Sequence, residues 1–176
     1  GWTVVSMKED WKQVSPIEAS PVTAINLLLE PDATMLQRSE ANNARLLEAF
    51  PKGFALDATH RPHVTLLQRF VRTADLEKIY VAAGKVFSGI DVPGLRMEAF
   101  KYYYIPSGSL GLAGIVGRPT SELRQLQQAL IDAVAPFTVA TGLSEAFATT
   151  PEDPVIDPLL IDYVSAFVGK STGEQF

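Results

Sequence analysis

The sequence predicts an α+β domain in which antiparallel sheets are flanked by helices. Apolar runs of strand-like composition alternate with amphipathic stretches in the order β-α-β-α-β-β-α-α. Two of the strand-like runs are separated by a short Ser-Gly-Ser turn, which predicts a hairpin and therefore antiparallel pairing. A chain of 176 residues with 47% apolar and 20% charged residues has the size and composition of one globular domain.

Residues 1–20 are mixed and polar, and they form a lead-in segment before a single domain at 21–176. Runs rich in β-branched and aromatic residues predict the strands, and apolar residues three or four apart predict the helices. No linker, low-complexity tract or short-period repeat interrupts this order. The elements expected are strand 22–31, helix 32–50, strand 62–71, helix 73–87, strands 94–106 and 110–118, helix 120–135 and helix 157–168.

Polar residues near the predicted helix starts indicate the caps. Thr34 and Gln37 have the spacing of a capping box in the first helix. Thr73 is placed to cap the second helix, and the third begins at Thr120. Asp157 precedes a proline at the start of the fourth helix, where a missing amide hydrogen costs nothing.

Composition narrows the classes of function. The net charge of −5 disfavours binding to duplex DNA, which requires lysines and arginines to neutralise phosphates, but it leaves room for a small anion on a local basic patch. The absence of cysteine excludes disulfides, a thiol nucleophile and a thiolate zinc site. No apolar run approaches the about 20 residues that span a membrane. The chain does not begin with Met. Either a leader was removed or a first residue was added, and the sequence does not distinguish these two explanations, so it does not determine the compartment.

Residues 57–71, DATHRPHVTLLQRFV, contain both histidines of the chain. Residues two apart share one face of a strand, so His63, Thr65 and Leu67 are expected to project together, with His60 elsewhere or outside the strand. An imidazole transfers protons near neutral pH, and a hydroxyl two residues on can hold a phosphate oxygen. The alternative is a histidine with ordinary hydrogen bonds at a sheet edge.

Two other chemistries fit these residues less well. A zinc site would require His60 and His63 to converge and would take all its other ligands from carboxylates. A Ser-His-Asp triad requires a context such as Gly-x-Ser-x-Gly, which the chain lacks. We therefore expect neither a metal nor another cofactor.

The run RPHVTLLQRFV resembles the first signature of the two-histidine phosphoesterases, which include 2′-5′ RNA ligase-like proteins and cyclic nucleotide phosphodiesterases. That signature is His-x-Thr/Ser and a hydrophobic residue on a strand, often after Pro. The resemblance extends to the preceding strand and helix, the hairpin and the segment TTPEDPVIDPLLIDYVSAFV. It implies a bilobal fold with a cleft between two α+β lobes, and metal-independent action on 2′,3′-cyclic or 2′-5′ phosphodiesters of RNA ends or nucleotides.

By this resemblance His63 is one member of an acid and base pair, and Thr65 is a phosphate ligand. No histidine follows His63, so the second signature is absent. One imidazole cannot serve both sides of an in-line displacement, and each proton transfer is worth about 10²–10⁴-fold in rate. Three explanations stay open: a fragment of a longer enzyme that lacks its C-terminal strand or strands, a module that binds a nucleotide or RNA terminus without turnover, and a site completed by a second copy.

Further residues are candidates for contacts with such a ligand. Arg69 lies an even number of residues from the motif histidine, so it is expected to face the cleft. Tyr102 and Tyr104 share one face of a predicted strand and are suited to stack on a base. The alternatives are solvated arginines and ordinary strand packing. The arginines that give the motif region a positive bias are Arg61, Arg69 and Arg72.

Overall fold

The computed structural model describes residues 3–4, 20–58, 60–107, 110–149, 151, 154–173 and 176, and within them it confirms the α+β class. The predicted order of elements is also confirmed, with two additional two-residue strands. None of the helices in these ranges has the length and apolar composition needed to cross a membrane. The strands are β1 (Thr3–Val4), β2 (Val22–Glu30), β3 (Val64–Arg72), β4 (Glu98–Ser107), β5 (Leu110–Arg118) and β6 (Thr138–Val139). The helices are α1 (Ala33–Ala49), α2 (Leu76–Ser88), α3 (Ser121–Val134) and α4 (Pro158–Lys170).

The strands form two separate antiparallel sheets. One has the order β1-β2-β3-β6, and the other is the β4-β5 hairpin. The hairpin is where the sequence predicts it, although the tip of its turn, at 108–109, lies outside the described residues. Strands β1 and β6 are two residues long, which is too short for the period of alternation to show in the sequence. The bilobal arrangement stays a prediction.

One extra residue interrupts the ladder between the two long strands. Leu27 pairs with Leu67, but the next residue of β2, Leu28, pairs with Thr65, so Leu66 has no partner opposite it. Such a bulge changes the alternation of the strand that contains it. Both Leu66 and Leu67 are fully buried as a result.

The main core lies between the sheet and helices α2 and α3. The apolar stripe of α3 is Leu123, Leu126, Leu130 and Val134, all as predicted and all buried. Helix α4 contributes Phe167 to this core. Its Val164 belongs to a second, smaller cluster that is built around Phe70 and Ala146. Helix α4 therefore joins both clusters at β3.

Two of the three predicted helix caps are wrong. The side chain of Asp32, not Thr34, caps α1 by accepting a hydrogen bond from the Met35 amide at 2.9 Å, and the capping box is wrong. Thr73 does not cap α2, because its hydroxyl donates to the Ser20 carbonyl in front of β2. Thr120 and Asp157 cap α3 and α4, each through its side chain.

A charged cluster ties the end of β3 to two helices. Asp75 is buried and accepts hydrogen bonds from Arg72 at 2.6 Å and from Lys78 of α2 at 2.9 Å. Arg72 also donates to the carbonyl of Pro136, just after α3, at 2.7 Å. The hydrogen bond from Lys78, and next that from Arg72, lower the pKa of Asp75.

A glutamine interrupts the apolar face of α3. Gln127 is 1% exposed, and its amide nitrogen donates to the carbonyl of Leu66 at 2.8 Å and to that of Ser171 at 3.0 Å. These two acceptors belong to the bulge of β3 and to the end of α4. One buried side chain therefore satisfies two backbone groups that the sheet and the helix leave unpaired.

We expect Asp75→Asn to lower the free energy of unfolding at pH 7, because the amide keeps the shape but loses the charge that Arg72 and Lys78 stabilise. A carboxylate with a lowered pKa contributes stability above its unfolded-state value, and this is lost as the pH falls through the folded-state value. The difference from wild type should therefore shrink below pH of about 4 in urea titrations. Glu77→Gln, an exposed neighbour on α2, is the control. A difference that does not change with pH contradicts the assignment.

We expect Gln127→Leu to destabilise the fold by about 1–3 kcal/mol for each carbonyl left without a donor. Leucine has a similar volume, so the loss measures the hydrogen bonds more than a cavity. Gln128→Leu is the matched control, because Gln128 is exposed and bonds only to Asp132 in its own helix. Denaturant unfolding of both variants checks the prediction, and equal losses in the two would refute it.

Candidate functional site

His63 immediately precedes β3, and its side chain is exposed. Its Nδ1 lies 2.8 Å from the carbonyl oxygen of Arg61. A carbonyl can only accept, so Nδ1 must carry the proton and donate it. In the neutral ring this leaves Nε2 as the basic nitrogen, which is the atom that would take a proton from a nucleophile.

Thr65 is half-buried and pairs in register with Leu28. His63 lies one residue before β3, and we expect the alternation of the strand to continue to it and to place it on the same side of the sheet as Thr65. Leu67 pairs with Leu27, the neighbour of Leu28, so it lies on the opposite side. The prediction that Leu67 projects with the motif is therefore wrong, because the bulge at Leu66 reverses the alternation.

We call the side of the sheet that carries His63 and Thr65 the His63 face. The same register places Asn26 and Gln68 on it, with Phe70 further along β3. At the Phe70 end the small core cluster covers this face. His63 and Asn26 are exposed, so the face is open at the end where β3 begins.

Gln68 is a residue of this face that the sequence does not single out. Its Oε1 is buried and accepts no hydrogen bond from the described residues. A buried acceptor without a donor is uncommon in folded proteins, and it marks a position where a ligand donor would be stabilised. No sequence signal identifies it, because a glutamine in a strand is ordinary until its neighbours are known.

The structure does not gather the three predicted arginines at the His63 face. Arg61 is adjacent to it but forms an ion pair with Glu30. Arg72 is paired with Asp75. Arg69 pairs in register with Ile25, so it lies on the opposite side of the sheet from Thr65.

Arg69 is half-buried on that opposite side. Its Nε is buried without a hydrogen-bond partner in the described part of the chain. Burial lowers the pKa of Arg69, because a desolvated guanidinium is less stable in its charged form. The expected cleft-facing role of Arg69 is therefore not supported by its position.

His60 lies outside β3, as the sequence predicts, in a turn that begins at Asp57. The Asp57 carboxylate accepts from the His60 amide at 2.8 Å and lies 3.0 Å from its Nδ1. The ring packs edge-on against Phe54, with 4.9 Å between centroids. Asn43 of α1 anchors this loop by donating to the Phe54 carbonyl and accepting from the Leu56 amide.

Tyr102 and Tyr104 lie on the hairpin, and their side chains are 73% and 65% exposed. They pair with Ile115 and Ala113, so they share one face, as predicted. The hydroxyl of Tyr102 accepts a hydrogen bond from Asn42 of α1 at 3.3 Å. The hairpin is not part of the sheet that carries His63, and the structure shows no direct bond from either tyrosine to His63 or Thr65.

The described ranges contain no group of three or more His, Asp or Glu side chains arranged to hold a metal ion. Cavities of about 240 and 440 Å³ lie along α4 and beside the start of β2, and neither His63 nor Thr65 lines them. The His63 face is thus a surface with one oriented base, one hydroxyl and two amides. Comparison with protein-family models, curated proteins and solved structures finds no match to this chain.

We expect the neutral ring of His63 to be the Nδ1–H tautomer, because only a donor can bond to the Arg61 carbonyl. Long-range proton–nitrogen correlation spectra of the protein, isotopically labelled at its histidine nitrogens, measure the tautomer directly. His63→Ala and His60→Ala assign the two sets of signals. A neutral His63 ring that carries its proton on Nε2 would contradict the hydrogen bond on which the site depends.

Proposed function

We propose that the His63 face binds the phosphate of a 2′,3′-cyclic or 2′-5′ phosphodiester, at an RNA end or in a nucleotide, and that His63 transfers a proton in its metal-independent hydrolysis. The observation that supports this proposal is an exposed imidazole, oriented by the Arg61 carbonyl, two residues before the strand hydroxyl of Thr65. The resemblance of the His-x-Thr run to two-histidine phosphoesterases supports the same chemistry.

In this reaction Nε2 of His63 takes a proton from water as the water oxygen attacks phosphorus. The Thr65 hydroxyl donates to a non-bridging oxygen, where negative charge increases as the bond forms. The bond from phosphorus to the leaving ribose oxygen breaks, and that oxygen takes up a proton from solvent water. His63 cannot supply this second proton in the same step, because it lies on the side of the attacking water.

The chain has one other histidine, His60, and the Asp57 turn holds it outside the strand. We therefore expect slow turnover, since a missing acid forfeits about 10²–10⁴-fold in rate. The same observation favours a second candidate function, in which the face binds a nucleotide or RNA terminus without cleaving it. The two candidates share the ligand and differ only in turnover.

Hydrolysis of 2′,3′-cyclic AMP in the presence of EDTA tests the catalytic proposal. We expect His63→Ala to reduce the rate by at least about 100-fold, the lower end of the range for a lost proton-transfer group. His60→Ala is the matched control and should keep most of the activity. Equal losses in both variants would contradict the role assigned to His63.

Calorimetry with the same nucleotide separates binding from catalysis. We expect Thr65→Val to weaken binding by about tenfold, because a hydrogen bond to a charged oxygen is lost while the shape is kept. Thr34→Val, an exposed position of α1, is the control. Affinity without turnover supports the binding module, and the absence of both affinity and turnover rejects the proposed function.

A further inference from the structure

A second surface with ligand-binding chemistry lies where the hairpin meets α1. Asn42 of α1 donates to the hydroxyl of Tyr102, which brings the two elements together. Arg38 and Arg45 lie four residues before and three residues after Asn42, so they share its side of the helix. We call Arg38, Arg45, Tyr102 and Tyr104 the tyrosine–arginine surface.

This surface is exposed and carries two arginines without an ion pair in the described residues. Both arginines are exposed and form no ion pair with the described residues. Of the two acidic residues of α1, Glu40 is two positions from Asn42 and therefore on the far side of the helix, and Glu48 lies three residues after Arg45. The surface thus carries two guanidinium groups and one neighbouring carboxylate in a chain whose net charge is −5.

The two tyrosines are spaced to accept a flat ring between them. They are two residues apart on the same face of β4, with no bulge between them, so their side chains are separated by about 6.7 Å along the strand. This separation is about twice the 3.4 Å rise of stacked bases in nucleic acid. The third tyrosine is on the other face, where its ring packs over Gly114.

We propose that the tyrosine–arginine surface binds single-stranded nucleic acid, with an unpaired base between Tyr102 and Tyr104 and its phosphates along Arg38 and Arg45. Aromatic rings and a basic groove are the pair of features that recognises single strands without regard to sequence. An apolar protein partner fits less well, because it would bury two guanidinium groups without counter-charges. This inference does not depend on the chemistry of His63.

Fluorescence anisotropy with a labelled ten-nucleotide oligouridylate tests the proposal on the whole chain. We expect Tyr102→Ala and Tyr104→Ala each to weaken binding by about tenfold, and the corresponding Phe variants to restore it, because phenylalanine keeps the stacking surface. Tyr80→Ala, a partly exposed tyrosine of α2, should bind like wild type. A self-complementary duplex should bind much more weakly than the single strand.

The arginines are tested through salt dependence. We expect Arg38→Gln with Arg45→Gln to reduce the slope of log affinity against log salt by about 1.4, since each phosphate contact on a single strand contributes about 0.7. Lys85→Gln with Arg124→Gln changes the net charge equally at exposed positions elsewhere, and should leave the slope nearly unchanged.

Three outcomes would overturn the inference. They are no oligouridylate binding, binding that is unchanged by both alanine variants, and alanine variants that convert a dimer to a monomer in light scattering without altering oligonucleotide affinity. His63→Ala should keep the affinity for oligouridylate. An absence of cyclic-phosphate hydrolysis would count against the proposed function, and an absence of single-strand binding would count against this inference, so the two failures can be told apart.

Discussion

The β2–β3 ladder contains one extra residue, Leu66, whose carbonyl accepts a hydrogen bond from the buried amide of Gln127. The rest of the arrangement depends on this contact. The bulge turns two consecutive leucines into the core and reverses the alternation beyond them. Thr65 consequently lies on one side of the sheet and Arg69 on the other. The bulge, whose carbonyl is bound by Gln127, thus determines which side chains of β3 share one side of the sheet.

Both ends of β3 carry charge pairs. Arg61 pairs with Glu30 just before the strand begins, and Arg72 pairs with Asp75 where it ends. The exposed imidazole of His63 is oriented by a backbone carbonyl, so its geometry does not rely on a neighbouring side chain.

Helix α1 and the hairpin are more exposed than β3. No residue of α1 is buried, and the hairpin exposes several aromatic side chains. Helix α1 contacts the hairpin through Asn42 and the His60 loop through Asn43. Helix α1 therefore links the tyrosine–arginine surface to the His60 loop.

Local sequence determined the order of elements, the leucine stripe of α3 and the cap at Asp157. Each depends on residues at most a few positions apart, where periodicity and steric preference decide. Tertiary structure alone decided the bulge, the side on which Arg69 lies, and the buried role of Gln127. That glutamine reaches a carbonyl 61 residues away along the chain. Such a contact exists only when sheet and helices pack together, so no local pattern could specify it.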